Sequence, residues 1–227
     1  MSATVFDRVA LRYDDLWTGT AIGRAQRNAV WRAIDPLFPA GARILDSGCG
    51  TGEDAAHFTA RGVTVHATDP SHAMIEVARA RGGFGTEVMG AEDLSRLAGT
   101  FDGAISNFGA LNCVEDLPAV ARSLGAIVRP GGRVAICTIG RFCAWETLYY
   151  ATRLNFRKAF RRLRGASSFR GLTVHYPTVG QLRAAFAADF ELERWTGIGM
   201  LVPPSYVQLP ARVVGIVVGR RQVAHQP

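Results

Sequence analysis

Asp46-Ser-Gly-Cys-Gly-Thr-Gly-Glu53 joins the apolar run Arg43-Ile-Leu-Asp46 to a helical stretch over residues 53–61. A strand therefore ends in a glycine-rich turn that opens a helix. Glycines at 48, 50 and 52 let the backbone approach a ligand closely, and the helix start offers unpaired N–H groups. Outward from this turn the same alternation repeats. Val63-Thr-Val-His-Ala-Thr-Asp69 reads as a second strand, followed by a helix that Ser71 caps and whose Met74, Ile75 and Ala78 face inward. Residues 86–89 form a weaker third strand and residues 101–106 a fourth. Leu117, Val120, Leu124 and Ile127 then recur at helical spacing, until Arg129-Pro-Gly-Gly132 turns the chain into a fifth strand over 133–139. Strands separated by helices pair in parallel through right-handed crossovers, which predicts a doubly wound α/β sheet.

Before this unit, residues 1–40 read as a helical cap, with Ile22, Ala25, Ala29 and Val30 on one side and Pro36 and Pro39 closing it. After it comes an insertion over 141–178. Thr178-Val-Gly-Gln181 has the form of a capping box for a helix reaching about residue 187. A sixth strand is expected over 190–196 and a valine-rich last one over 212–219. The 227 residues read as one domain with no internal repeat. No stretch approaches the roughly 20 apolar residues needed to span a bilayer. The start carries Asp7 and no apolar run behind it, so a soluble cytoplasmic protein is expected. Cys49, Cys113, Cys137 and Cys143 show neither metal-ligand nor redox spacing and read as reduced thiols; no metal is expected.

The glycines alone suit any nucleotide, and two details separate the candidates. A dinucleotide fingerprint starting at Gly48 would place its third glycine at 53, where a glutamate stands instead. Asp46, Glu53 and Asp54 also rim the turn with negative charge that would repel a pyrophosphate. S-adenosylmethionine carries a sulfonium and an ammonium and no phosphate, so an acidic loop suits it. Asp69, ending the next strand, is placed to accept hydrogen bonds from ribose hydroxyls.

Over roughly residues 1–140 the chain resembles the class I, Rossmann-like S-adenosylmethionine-dependent methyltransferases. Ile44-Leu-Asp-Ser-Gly-Cys-Gly-Thr-Gly52 is similar to their glycine-rich signature, and Ala67-Thr-Asp-Pro-Ser-His-Ala-Met74 to their acidic strand end and following helix. Gly90-Ala-Glu-Asp93 resembles the loop that holds the adenine amino group, and Arg129-Pro-Gly-Gly132 the turn before their fifth strand. Phe6-Asp-Arg-Val-Ala-Leu-Arg-Tyr-Asp14 is similar to the opening of the quinone and natural-product members, in which a tyrosine at the place of Tyr13 lies over the cofactor. Ser47 departs from the small apolar residue more usual there. The resemblance implies a seven-stranded, mostly parallel sheet with an antiparallel last strand and a helical lid between strands five and six. It assigns S-adenosylmethionine to Tyr13, Asp46, Gly48, Cys49, Gly50, Gly52, Asp69, Pro70, Met74, Ala91, Glu92, Asp93, Asn107 and Phe108.

Methyl transfer is an in-line displacement, so the main task is to align the acceptor and exclude water. A base is needed only if the acceptor holds a proton. Ser106-Asn-Phe-Gly-Ala-Leu-Asn-Cys113, the stretch beside the transferred methyl in this fold, lacks the Asn/Asp-Pro-Pro-aromatic sequence of amine and amide methylases. A small-molecule acceptor, methylated on O, N or C, is therefore expected, in specialised metabolism or on a lipid or quinone. Asn112, Trp145, Tyr149, His175, Tyr176 and Tyr206 are the candidate acceptor contacts, and His175 is the candidate base. His57 belongs to the first crossover helix and His225 to the tail.

The net charge of +7 resides in the insertion, where eight basic residues and one acid lie between Arg141 and Arg170. Trp145, Leu148, Tyr149, Thr152, Phe156, Ala159 and Leu163 are expected on one apolar face of a long helix, with Arg153, Arg157, Arg161 and Arg164 as a second stripe. That stripe suits either solvent or an anionic partner: an acidic acceptor, a carrier protein, or a membrane surface presenting a lipid. Two other readings of the chain compete, an RNA methyltransferase and a non-catalytic cofactor-binding protein. A single lysine and no attached RNA-binding motif weigh against nucleic acid. Monomer and dimer are both compatible with the sequence.

Overall fold

A computed structural model describes residues 5–141, 143–169, 171–197 and 215–221. Five strands run parallel in the order β3-β2-β1-β4-β5: β1 (Arg43–Ser47), β2 (Thr64–Asp69), β3 (Gly85–Val88), β4 (Phe101–Ser106) and β5 (Val128–Thr138). β6 (Ala166–Phe169) and β7 (Leu172–His175) pair antiparallel with each other, outside that sheet. β8 (Phe190–Thr196) and β9 (Gly215–Arg221) extend the β5 edge, with β9 between β5 and β8 and antiparallel to both.

The central strands are buried almost end to end, as parallel strands covered on both faces must be. One face carries α1 (Ala21–Ile34) and α2 (Glu53–Ala60), where Val30, Ile34 and Phe58 meet Ile44, Val65 and Ile105. On the edge strands α3 (His72–Arg81) packs against β2 and β3. Over the other face α4 (Leu117–Ile127) lays Val120, Leu124 and Ile127 against Phe101 and Val134. Helix starts follow the sequence closely. Ser71 accepts from the Met74 N–H at 3.1 Å, Thr20 from Gly23 at 3.0 Å and Asp116 from Ala119 at 2.9 Å.

Order reverses between β1 and β4, so their carboxyl ends diverge into the crevice where open α/β sheets bind ligands. The Ser106 hydroxyl donates to the Ser47 carbonyl at 2.8 Å and pins the two strand ends together at that mouth.

Three expectations are corrected. Residues 5–34 are not one helix: a 3-10 turn (Ala10–Arg12) and a π-type turn (Asp14–Thr18) precede α1. The π turn backs onto Gly23, where a Cβ would lie 2.0 Å from the Trp17 carbonyl oxygen. β5 begins at Val128 rather than 133, because its pairing with β4 continues across the Pro-Gly-Gly turn through a register shift.

The third correction concerns the insertion, which is neither one helix nor wholly helical. α5 (Ala144–Ala151) stops, and Leu154 takes a left-handed backbone with φ of 55°. Asn155 then caps α6 (Phe156–Ala159) by accepting from the Lys158 N–H at 3.2 Å. A 3-10 turn (Arg161–Arg164) and the β6–β7 hairpin follow. Of the seven residues expected on one apolar face, Ala159 is buried, while Leu148, Phe156 and Leu163 are exposed. Glu146, 3% exposed, pairs with Arg161 at 2.7 Å and with Arg162, clasping α5 to the 3-10 turn. The expected stripe is thus broken, with Arg161 spent inside the insertion. The Thr178–Gln181 capping box is present in both halves and opens α7 (Val179–Phe186), whose Leu182 and Phe186 join the core beside α4. Among the described residues no helix is long and apolar enough to cross a membrane.

Removing Glu146 leaves two arginines without their shared carboxylate. Glu146→Ala is expected to speed amide exchange across residues 144–164 by about tenfold or more, corresponding to roughly 1–3 kcal/mol of local stability. Exchange in β1 and β4, measured in the same experiment, should stay unchanged; uniform acceleration would contradict a local clasp.

Candidate active site

The glycine turn is shaped by two adjacent bonds: the N–H groups of Gly48 and Cys49 both donate to the Thr68 carbonyl, at 2.8 and 2.9 Å. All three glycines have positive φ, for different reasons. A Cβ on Gly48 would lie 2.2 Å from that of Ala110, and one on Gly52 would lie 2.8 Å from the Phe84 ring. A Cβ on Gly50 would meet nothing within 4 Å. Packing therefore dictates Gly48 and Gly52, while Gly50 turns its bare backbone to the open side of the crevice.

Around that opening stand polar atoms that the protein does not satisfy. Asp46 is 1% exposed, and neither of its carboxylate oxygens makes a well-formed hydrogen bond among the described residues, the Ala55 N–H giving it only weak backbone support. Asn107, directly after β4, is buried with both amide atoms unpartnered among the described residues. Asp69 accepts one backbone N–H on each oxygen, from Gly50 at 3.0 Å and Ser71 at 2.9 Å, which fixes its carboxylate at the end of β2. Burial, helped by the Asp54 charge, pushes Asp46 well above the usual carboxylate range, with Arg27 pulling it back. Burial also raises Asp69, against its two backbone bonds. Three buried acids at the strand ends, Asp46, Asp54 and Asp69, thus share one buried cation among the described residues, Arg27.

A cap built by the first twenty described residues closes over this turn. Thr51 donates to Asp14 at 2.7 Å; Arg81 pairs with Asp14 and with Glu53, the latter at 2.8 Å, and donates to the Thr51 carbonyl at 2.6 Å. Asp7 accepts from the Ser71 hydroxyl at 2.5 Å and the Ala73 N–H at 3.2 Å. Behind the cap lies Arg27, 6% exposed and paired with Asp54 at 2.7 Å, an acid that also accepts from the Trp31 indole at 2.7 Å. The guanidinium lies 4.4 Å from the Phe108 ring centre and 5.3 Å from that of Trp17, and the two rings meet edge to face at 4.8 Å. Phe108 reaches this contact with a left-handed backbone, φ 54°, an uncommon conformation for a bulky residue. Burial pushes the Tyr13 hydroxyl up to about 12; Arg27 opposes this, while Asp69, Asp14 and Asp54 add to it.

The sequence-derived cofactor residues fall unequally. Tyr13, Asp46, Cys49, Asp69 and Arg27 share one electrostatic environment at the strand ends, and Gly50, Asn107 and Phe108 adjoin it. Burial holds the Cys49 thiol well above its usual range and hence protonated. Pro70 is exposed beside Asp69, whereas Met74 is 2% exposed inside α3 and serves packing. Ala91, Glu92 and Asp93 open a 3-10 turn after β3, with both acids exposed; the Met89 N–H ties that stretch to the Asp69 carbonyl at 3.1 Å. Arg27 escaped the sequence reading. Its signal was there, a charge three residues before Val30 and seven before Ile34 on the inward face of α1.

Among the acceptor candidates, Asn112 is fully buried and its amide is committed: it donates to the Ile139 and His175 carbonyls at 3.0 and 2.5 Å and accepts from the Ile139 N–H at 2.8 Å. It positions the loop after β4 and cannot also grip an acceptor. The hydroxyl of the buried Tyr176 lies 2.9 Å from that of Ser167 across the hairpin. Tyr149, half-buried on α5, lies under the Arg153 guanidinium, which sits 3.8 Å from its ring centre. Trp145 belongs to α5. His175 ends β7, half-buried, with its carbonyl tied to Asn112. Tyr206 lies outside the described residues.

A doubly wound sheet with an acidic, glycine-lined crevice at its switch point is the arrangement of a Rossmann-like methyltransferase. The sequence profile of the methyltransferase domain matches residues 23–193, and the chain belongs to that family. It is 38% identical over 141 residues to a demethylmenaquinone methyltransferase of Clavibacter sepedonicus, covering 60% of this chain and 56% of that one. Over 106 residues it is 40% identical to a ubiquinone biosynthesis O-methyltransferase of Methylocella silvestris, covering 44% and 41%. The matched region thus spans about half the length of these curated relatives. A structure solved in work on converting a disulfide bond into a thioacetal group during echinomycin biosynthesis superposes with a TM-score of 0.61, at 27% identity over 85% of this chain and 81% of that one. The fold is also shared with the [4+2]-cyclase SpnF, with a TM-score of 0.66 at 18% identity over 96% and 94% of the chains.

The raised Asp46 sets a pH-dependent cost. Below its ordinary value of 3.8 the carboxyl is neutral in folded and unfolded chains alike. As pH rises, the unfolded chain ionises first, so stability falls until Asp46 also ionises in the fold. Asp46→Asn is therefore expected to melt higher than the parent at pH 7, by on the order of 3 °C, and level with it at about pH 3. Thermal melts at both pH values check this; a variant less stable at pH 7 would show that the carboxylate is compensated.

Proposed function

We propose that this chain binds S-adenosylmethionine in the crevice at the ends of β1, β2 and β4 and directs its methyl group onto a small-molecule acceptor. The observation that carries the reading is the buried Asp46, its oxygens without a well-formed hydrogen bond among the described residues, beside the fixed Asp69, with Gly50 bare between them. When bound, the cofactor supplies an electrophilic methyl on a sulfonium centre. Asp69 has lone pairs left for ribose hydroxyls, and Asp46 provides counter-charge for a cationic ligand. Arg27, although paired with Asp54, keeps an Nε–H with no partner among the described residues, and that is the donor it offers the ligand's carboxylate. Asn107 offers an unused donor and acceptor next to the acceptor side of the crevice. Cap residues Tyr13 and Trp17, with Phe108, exclude water and narrow the approach. For acceptors that hold a proton, His175 is the residue we assign to remove it, since it ends the hairpin strand next to the Asn112 strut.

Two curated relatives are named for quinone methylation, which supports a quinol-like or phenolic acceptor and makes such compounds the first panel to try. A cyclase with this fold shows that the architecture alone does not dictate the reaction, so the test must follow the methyl itself. Isotope-labelled cofactor incubated with demethylated quinols should give labelled product and S-adenosylhomocysteine. Binding without methyl release from any acceptor in the panel or in a cell extract would leave a ligand-binding protein. Asp46→Asn should weaken cofactor binding by about tenfold or more in calorimetry, corresponding to at least 1.4 kcal/mol. Equal affinity would remove Asp46 from the site. His175→Ala should lower the rate and change the shape of its pH profile. A profile of unchanged shape would remove His175 from proton transfer.

A further inference from the structure

From Arg153 to Arg164 the insertion exposes side chains that the core does not need. Leu154 is 79% exposed, Phe156 55%, Phe160 44% and Leu163 52%, within ten residues of chain. Interleaved with them, Arg153, Arg157, Lys158 and Arg164 are exposed too. No acid occurs between residues 147 and 170, and the one carboxylate just before, Glu146, is buried against Arg161 and Arg162. No carboxylate of this segment therefore neutralises these four cations, of which Arg153 also rests on the Tyr149 ring and Lys158 lies 5.6 Å from the Tyr150 ring centre. Leu154 is the telling residue: its left-handed backbone costs roughly 1–2 kcal/mol relative to a glycine, yet it holds a leucine side chain in open solvent. Four large apolar side chains mixed with four cations suit neither bulk water, where the apolar area costs free energy, nor a protein core.

We propose that this segment docks on the surface of an anionic lipid bilayer, with Leu154, Phe156, Phe160 and Leu163 entering the headgroup boundary and the four cations resting on lipid phosphates. Charge complementarity selects that occupant: apolar side chains alone would suit any greasy surface, and cations alone any polyanion, but the mixture at residue-by-residue spacing matches the interfacial zone where both are satisfied. Docking places the insertion between bilayer and crevice, so an acceptor dissolved in the membrane reaches the site without crossing water. The inference does not require methyl transfer, and its test uses neither cofactor nor acceptor.

The experiment is flotation of the full chain with vesicles of phosphatidylcholine alone or with about one third phosphatidylglycerol, at low salt and at about 1 M salt, where the Debye length is ~3 Å. Binding is expected to the anionic vesicles only, and to be lost at high salt. Arg157→Gln with Lys158→Gln should lower the partition coefficient roughly 25-fold, about fivefold per charge. Leu154→Gly separates docking from folding: glycine prefers that backbone, so thermal stability should hold or rise while partitioning falls severalfold. The proposal is overturned by equal binding to both vesicle types, by no binding to anionic vesicles, by variants that bind as the parent does, or by a chain that binds single-stranded RNA and leaves the vesicles alone.

Discussion

A buried carboxylate with only weak hydrogen-bond support sits where the sheet divides, and much of the rest is arranged around it. Taking Asp46 out of water with no more than weak support from the Ala55 N–H is costly, and the neighbouring Asp54 and Asp69 make ionisation costlier still. The molecule contains this through neighbours. Arg27 neutralises Asp54 on one side, backbone N–H groups hold Asp69 on the other, and a two-faced core of large apolar side chains supplies the stability to tolerate the remainder. Strain of this kind persists at sites where a ligand relieves it.

The cap and the turn depend on each other in the same way. Arg81 comes from α3, Thr51 and Glu53 from the glycine turn and α2, and Asp14 from the cap, so one arginine gathers three parts of the chain. Asp7 repeats the device at the start of α3, where it supplements the Ser71 cap. The turn is held from below by the Thr68 carbonyl and from above by these charges, leaving Gly50 as its open position.

The parallel core was legible because parallel strands, buried on both faces, write continuous apolar runs between capped helices. Ser71, Thr178 and Asp46 could be placed from local sequence alone. The insertion misled for a physical reason. Three- and four-residue spacing from Trp145 to Leu163 satisfies a helix, but periodicity does not register that Asn155 prefers to start a new helix, or that Leu154 adopts the left-handed turn before it. The β6–β7 hairpin, whose register pairs Ala166 with His175, is tied to the loop after β4 by the bond from the Asn112 amide to the His175 carbonyl, a contact between residues 63 apart in sequence. Asn112 was expected at the acceptor because it belongs to Ser106–Cys113, the stretch beside the transferred methyl in the family that the chain resembles. Only three-dimensional neighbours reveal that three backbone groups consume its amide.

That amide has a mechanical meaning. Asn112 bolts three separate pieces of chain to one another: its own loop beyond β4, the end of β5 at Ile139, and the hairpin at His175. The hairpin and the loop that begins with Asn107 and Phe108 are thus parts of one hydrogen-bonded frame, and moving the hairpin alone would break bonds that also hold the loop beside the crevice.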